Sequence, residues 1–540
     1  MTKYRERIFL FLLFLTLFVW LGSHAYKRHA NIAWNDWQTE ITADGAGYYI
    51  YLPMWFDQGY EASHYRKGLD KQLGNGFSLD DPSGIVRTKY FSGTALMLSP
   101  FYLIWSVISD DDPFSDSFNR MVSWASALVV SFGALLLFQV SRRRSGNFAS
   151  LFAVWVGIFG STIVYYVIQN PMWSHAWSFS VVCILLFLFH RRFEKREWLR
   201  IAGMGIFSAL LIMIRPTNLL LLIPIWFFEP EERPVLNLRH VLIFVLCAAL
   251  VCMPQLIYWK KLSGSWFYDA YSGEGFHYLR APRFLSLLFE PRSGLLSYTP
   301  LFVLFWLLLF SKTCGRPVFR YVLLAVQLVL MYLFASWSTL NFGECCFGFR
   351  SFTEMVPLYI PLLATFMRRT YYGIHSRRWI LAGAFAVLCV SWTTQLTGKF
   401  YHCYLSSHPF DFREFRRYLF DRVYHFDDAG HPMNPEVKRK MLHSSGASTG
   451  PSVFMGRDHY FRNVNVRFEL PQLPDTHGVY LHVQLSHESA PRIYGPYRKG
   501  KHLVLFQLHH AALMPEVNML LMKQGLPPDW KSSKIQVLAD

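Results

Sequence analysis

Residues 93–108, GTALMLSPFYLIWSVI, decide the topology of this chain. They carry no charge and read as apolar as a membrane span, although a helix needs about 20 residues to cross a bilayer. If they cross, Arg142, Arg143 and Arg144 fall outside and the charge pattern of every later connection breaks. If they form a helix lying at, or dipping into, the outer interface, basic residues stay on the inner side throughout. The second reading is expected.

On that reading the spans run roughly over 8–25, 119–140, 148–168, 173–190, 201–214, 219–229, 241–259, 297–312, 319–336, 353–367 and 379–396. Twenty of the 53 Lys and Arg then fall in six short inner segments. These hold Lys3, Arg5 and Arg7; Arg142 to Arg144; Arg191, Arg192, Lys195, Arg196 and Arg200; Arg233 and Arg239; Lys312, Arg316 and Arg320; and Arg368, Arg369, Arg377 and Arg378. The short outer segments 169–172, 215–218 and 337–352 carry only Arg215 and Arg350. The expected fold is mainly α: a polytopic transmembrane helical bundle of about eleven spans, N-terminus inside and C-terminus outside. The first run follows three basic residues, and Ser23-His24-Ala25 offers small residues for signal-peptide cleavage. A retained first helix is expected, and the orientation is the same either way.

Composition agrees. The 540 residues are 52% hydrophobic and 18% aromatic but only 16% charged, against about 25% charged in soluble proteins. Mean hydropathy is +0.20. The net charge of +17 invites a nucleic-acid reading, but the clustering of basic residues in short inner connections and the lack of any binding module argue against one.

The connections are unequal. Every inner one is too short to fold a nucleotide-binding domain, whereas the outer face holds a first loop (26–118), a second long loop across 260–296, and everything after residue 396. Chemistry is therefore expected outside. The domains are a transmembrane part, 1–396, and a soluble outer part, 397–540. In the latter, Asn434 and Pro435 read as the start of a helix over 436–442. After about residue 455, alternating runs at 464–470, 479–485, 503–508 and 535–538 read as a small β-rich domain. Of the eight cysteines, only Cys345, Cys346 and Cys403 face the oxidising side, and their pairing stays open.

The stretch TADGAGYYIYLP, residues 42–53, carries the chemistry. Asp44 sits just outside the first span, where a carboxylate can take a proton from an acceptor hydroxyl or amine. Gly45 and Gly47 would let a substrate approach the backbone, and Tyr48 and Tyr49 offer faces to a sugar ring. The plain alternative is an N-cap aspartate on an interfacial aromatic helix. Asp80 and Asp81 are the next acidic candidates, and Asp36, before the Gly-Tyr segment, is expected to have no role. Lys89, Arg215, Arg292 and Arg350 all fall on the outer side, suited either to phosphate oxygens or to lipid headgroups. His175, between Trp173 and Trp177, suits a substrate hydroxyl, a phosphate, or an interfacial belt. Tyr271, Glu274 and Arg280 can order over a bound substrate. No spacing of Cys, His or acidic residues reads as a metal site.

Asp44 with Tyr48-Tyr49 resembles the first-outer-loop acidic motif of the C-type superfamily of membrane glycosyltransferases, which includes the protein O-mannosyltransferases and the aminoarabinose transferases that modify lipid A. Further stretches are similar and follow in order. They are Lys89-Tyr90-Phe91-Ser92-Gly93 with Ser99-Pro100-Phe101, Ser174-His175, Arg215-Pro216-Thr217-Asn218, Phe289-Glu290-Pro291-Arg292-Ser293-Gly294, and Phe347-Gly348-Phe349-Arg350. The resemblance covers about residues 8–396. It implies a polyprenyl-phosphate sugar donor, an acceptor glycan, lipid or protein on the outer face, Asp44 as catalytic base, and phosphate contacts from Lys89, His175, Arg215, Arg292 and Arg350. It also implies residence in a bacterial inner membrane with a periplasmic site. Gly45 stands where family members often carry a second acidic residue, so Asp44 has no adjacent partner for a divalent metal. Phe91 replaces the usual proline. A lipid-linked saccharide polymerase or ligase shares the donor class, and a transporter or flippase is the rival of a different kind. Transporters tend to show repeated halves and midplane binding groups, neither of which is visible here.

Overall fold

The computed structural model describes residues 3–30, 40–190, 196–229, 237–271, 274–312, 314–340, 346–371 and 376–399, with Phe415 and ten strands between 425 and 539. The chain divides into two compact units, Met1–Phe400 and Tyr401–Asp540.

Helix α1 (Lys3–Ala30) opens the first unit. The segment after it carries the short helices α2 (Asp44–Tyr49), α3 (Tyr51–Phe56) and α4 (Leu69–Gln72), then α5 (Gly93–Ile108). There follow α6 (Asp116–Phe159), α7 (Ile163–Ile168), α8 (Ser174–His190) and α9 (Glu197–Ile214). A 3-10 turn over Pro216–Leu221 leads into α10 (Leu222–Phe227), and α11 (Leu238–Ser263) returns. Then come α12 (Phe284–Phe289), α13 (Leu295–Tyr298), α14 (Leu301–Phe310) and α15 (Pro317–Ser336). A second 3-10 turn, Arg350–Met355, enters α16 (Val356–Tyr371), and α17 (Ser376–Lys399) closes the unit.

Helix thus occupies each of the eleven apolar runs, and six helices among the described residues are long and apolar enough to cross a membrane. This is an integral membrane protein. Several connections differ from expectation. Arg142 to Arg144, good helix formers, continue α6 instead of forming a loop, and only Gly146 breaks it (φ 74°, ψ 172°). The run 297–312 is interrupted at Thr299-Pro300, where proline removes a helical hydrogen bond.

Local chemistry sets the other ends. Asn237 caps α11 by accepting from the His240 amide at 2.9 Å, and Gly264 ends it in the left-handed conformation. Helix α8 is buried nearly throughout, packed against α6 and α9, while α16 packs on α6. By contrast α11 leaves Val245, Leu246 and Leu250 exposed, a continuous apolar face suited to lipid. Helix α5 lies against α6 and α9, burying Leu98 and Tyr102 and exposing Ile104, Val107 and Ile108.

In the second unit β1 (His425–Phe426) pairs with β2 (Pro432–Met433). One antiparallel sheet has the order β3 (Lys440–His443), β10 (Gln536–Ala539), β5 (Asn463–Leu470), β8 (Gly500–Gln507). The other has the order β4 (Ser452–Val453), β9 (Val517–Met522), β6 (Val479–Leu485), β7 (Arg492–Tyr497). Strand β3 replaces the end of the helix expected over 436–442, because Lys440 to Leu442 pair with β10; Asn434 and Pro435 lie outside the described residues. Cys346 is buried and unpaired, and Cys345 and Cys403 also lie outside the described residues.

The start of α5 is fixed by close backbone approach. A Cβ on Gly93 would sit 2.3 Å from the Ile214 nitrogen and 2.4 Å from the Met213 carbonyl carbon. Backbone at the end of α9 has nowhere to move, so Gly93→Ala should cost about 1–3 kcal/mol or more. Gly203→Ala, whose Cβ meets only the Leu188 side chain at 3.2 Å, should be close to neutral because alanine favours helix. Thermal unfolding in detergent checks the pair, and equal melting temperatures would show that α5 does not seat on α9.

Candidate active site

The acidic motif folds as a knot of chain around α2. Ala43, the residue before the helix, holds φ 46°, a strained value for a non-glycine residue. It is kept there by its amide donating to the Leu73 carbonyl at 2.8 Å. Gly76 fits because a Cβ there would lie 1.9 Å from the Ala43 oxygen. Gly45 packs on Met172 and Trp173, and Gly47 on the Tyr90 ring and the Gly76 oxygen. These two glycines therefore admit the protein's own chain; the expected approach of a substrate to their backbone is not what they serve.

Asp44 is not an N-cap: Ala43 holds that position and no side chain caps the helix. Instead Arg350 Nη1 donates to Asp44 Oδ2 at 2.7 Å, and the Tyr90 hydroxyl donates to Oδ1 at 2.5 Å. The Arg350 guanidinium also lies 4.6 Å from the centre of the Trp173 ring, where an aromatic face stabilises a cation. Burial alone would push the Asp44 carboxyl up. The Arg350 charge, the two hydrogen bonds and then Lys89 outweigh it and hold the group below the ordinary range. Burial, followed by the Asp44 charge, pushes the Tyr90 phenol well above its usual range, so it stays a donor.

These groups line a cavity of about 270 Å³. It brings together Asp44, Tyr48, Lys89, His175, Arg215 and Arg350, all from segments that the charge pattern places on one face. Tyr90, Trp173, Phe276, Phe334 and Trp337 supply aromatic walls. Lys89 pairs with Glu274 at 2.5 Å and lies near the Tyr90 and Tyr271 rings, at 5.7 and 5.8 Å. Arg215 Nη2 donates to Ser351 Oγ at 3.1 Å, and Nη1 lies 3.4 Å from His175 Nδ1. Tyr271 and Glu274 thus join the site from the second long loop, whereas Arg280 is exposed outside it.

Two expected residues do not belong. Tyr49, next in helical register to Tyr48, turns about 100° away; its hydroxyl donates to the Pro113 carbonyl at 2.6 Å and its ring packs on Tyr102 and Phe114. Arg292 lies off the cavity, where its charge reaches the half-buried Glu290. Asp80 pairs with Lys71 and Asp81 with Arg87, both away from the lining. Asp36 lies outside the described residues. Glu354, fully buried behind His175, had no part in the sequence reading. Among the described residues no three of His, Cys, Asp and Glu cluster as metal ligands.

No family model and no curated protein matches the sequence. Solved structures are similar. The oligosaccharyltransferase of Archaeoglobus fulgidus, in complex with zinc and sulfate, matches at 15% identity and a TM-score of 0.38, over 71% of this chain and 52% of that one. The same organism's oligosaccharyltransferase AglB, with an inhibitory peptide and a dolichol-phosphate, matches at 12% identity and a TM-score of 0.38, over 71% and 54%. Arabinosyltransferase EmbB of Mycobacterium smegmatis matches at 12% identity and a TM-score of 0.30, over 97% and 64%. This chain therefore spans about half the length of the oligosaccharyltransferases it matches. These proteins are named as transferases of sugars, and likeness at this level assigns neither activity nor residue roles to this chain.

The ion pair has a pH signature. Asp44 has a depressed folded value, so the stability it contributes is present above its ordinary value of 3.8 and is lost as pH falls through the lower folded one. Arg350→Met removes the strongest lowering influence, leaving burial to dominate, and the carboxyl should then titrate above 3.8. Infrared difference spectra, with Asp44→Asn identifying the band, should show the protonated carboxyl at higher pH in Arg350→Met than in the wild type. Identical titrations would mean that the two side chains do not pair.

Proposed function

We propose that this chain is a membrane glycosyltransferase that moves a sugar from a polyprenyl-phosphate-linked donor to an acceptor on the outer face, by a single inverting displacement with Asp44 as general base. The supporting observation is the cavity that sets one carboxylate among Lys89, Arg215 and Arg350 with aromatic walls around them. Three cations in a part-dry pocket suit a phosphodiester whose leaving group gains negative charge, and fixed charges stabilise it more effectively there than in water. Arginine forks match phosphate oxygens in pairs. Tyr48, Tyr90 and Trp173 offer ring faces to the sugar, and Phe276, Phe334 and Trp337 offer apolar contact to the first isoprene units.

The acceptor hydroxyl or amine attacks the anomeric carbon from the side opposite the phosphate. A new bond forms at that carbon, its bond to the phosphate oxygen breaks, and the electron pair leaves with polyprenyl phosphate. The acceptor proton passes to Asp44. Paired to Arg350, Asp44 is a weak base. A donor phosphate entering among the three cations competes for Arg350, and as that charge is shared the carboxylate regains basicity at the moment it is needed. No covalent sugar–enzyme intermediate arises, and nothing from the inner face is consumed. The charge pattern supports the N-terminus inside and the site on the outer face, and the motif resemblance supports a bacterial inner membrane with that face periplasmic.

General-base assistance is typically worth about 10²–10⁴-fold. In transfer assays with radiolabelled polyprenyl-phosphate sugars and membrane extract, Asp44→Asn should lose turnover by that factor and still bind the donor lipid. Asp80→Asn, outside the cavity, and Arg292→Gln should stay near wild type. Near-normal transfer by well-folded Asp44→Asn protein would sink the base assignment. Net movement of lipid without sugar transfer would favour a flippase.

A further inference from the structure

Glu354 and His175 form a buried corner behind the cavity, each about 1% exposed. His175 Nδ1 lies 3.0 Å from Glu354 Oε1, and the His175 ring packs against Tyr166 with ring centres 4.7 Å apart. Arg215 closes the corner, with Nη1 3.7 Å from Glu354 Oε1 and Nη2 bonded to Ser351. Arginine stays charged. Burial disfavours a charge on Glu354, but the fixed charge of Arg215 at 3.7 Å favours the carboxylate, and an ionised Glu354 beside a neutral His175 leaves the corner without net charge. An imidazolium would add a positive charge beside Arg215, with Arg350 across the same cavity.

With Glu354 a carboxylate, its oxygen can only accept, so the imidazole proton sits on Nδ1. Arg215 Nη1, 3.4 Å from that nitrogen, then faces it donor to donor; the Glu354 contact at 3.0 Å is the shorter and holds the proton, while Nη2 donates to Ser351. Nε2 is left with a lone pair. Among the described residues nothing bonds Nε2, and His175 lines the cavity. A lone pair repels phosphate oxygens and accepts from a hydroxyl.

We propose that Glu354 is a positioning residue that fixes His175 as the Nδ1–H tautomer, so that Nε2 accepts a hydrogen bond from a hydroxyl of the bound sugar and helps to select it. The sugar ligand rests on the glycosyltransferase reading above; the tautomer does not. This separates His175 from the phosphate-facing cations Lys89, Arg215 and Arg350. A site built to bond a hydroxyl rejects a sugar lacking it, because its buried partner is left unpaired.

The test uses the full-length chain in lipid nanodiscs with isotope-labelled histidine, the His175 signals being assigned by difference against His175→Gln. At neutral pH the ring should show a protonated Nδ1 and a bare Nε2. The same state should persist in Glu354→Gln, whose amide oxygen still accepts, and give way to a mixture in Glu354→Leu. An imidazolium, or an Nε2–H tautomer, in the wild type overturns the proposal, and that spectrum decides even if Glu354→Leu fails to fold. With wild-type transfer established on a panel of polyprenyl-phosphate monosaccharides, Glu354→Leu should raise the donor KM about tenfold, with a smaller change in kcat. Glu354→Gln should recover most of that loss. An unchanged KM in a folded Glu354→Leu protein overturns the hydroxyl role. Absence of any transfer by the wild type removes the sugar ligand together with the glycosyltransferase reading, while the spectrum still decides the tautomer.

Discussion

One ion pair joins the two ends of the membrane unit. Asp44 and Arg350 stand 306 residues apart in sequence and 2.7 Å apart in space. The carboxylate belongs to the loop after the first helix and the guanidinium to the turn entering α16. Their burial would be costly for either alone, and removing one partner of such a pair leaves an uncompensated charge. The pair also sets the positions of its neighbours: Tyr90 bonds the other carboxylate oxygen, and Trp173 lies under the guanidinium. The segments that carry these four residues must come together before the cavity exists.

Charge placement made much of this legible from sequence. Lysine and arginine mark the connections expected inside, which leaves Lys89, Arg215, Arg292 and Arg350 among the cations expected outside. Lys89, Arg215 and Arg350 then meet in one cavity, and Arg292 does not. Side of the membrane is a one-dimensional property that a sequence states directly, whereas position on that side depends on packing. Tyr48 and Tyr49 show the same limit at one residue's spacing. Both are aromatic and adjacent, but helical rotation sends one to the cavity and the other to the Pro113 carbonyl.

The glycines misled for a related reason. Gly45 and Gly47 permit close approach, but the sequence does not say what approaches, and here it is the chain itself. Glu354 has no place in the sequence reading because it falls second in the expected span 353–367, ahead of an apolar stretch. An acidic residue within an expected span is a functional signal in its own right. Arg142 to Arg144, expected in an inner connection, lie within helix, because a charged segment need not be a loop.

The account depends most directly on where a donor's phosphate sits. A cryo-electron microscopy structure of the full-length protein with a bound polyprenyl phosphate would show it. The account predicts phosphate density within hydrogen-bonding distance of Lys89, Arg215 and Arg350, Glu274 drawn away from Lys89, and the isoprenyl chain leaving past Phe334 and Trp337 toward lipid. Phosphate density elsewhere, with the Asp44–Arg350 and Lys89–Glu274 pairs undisturbed, would contradict it.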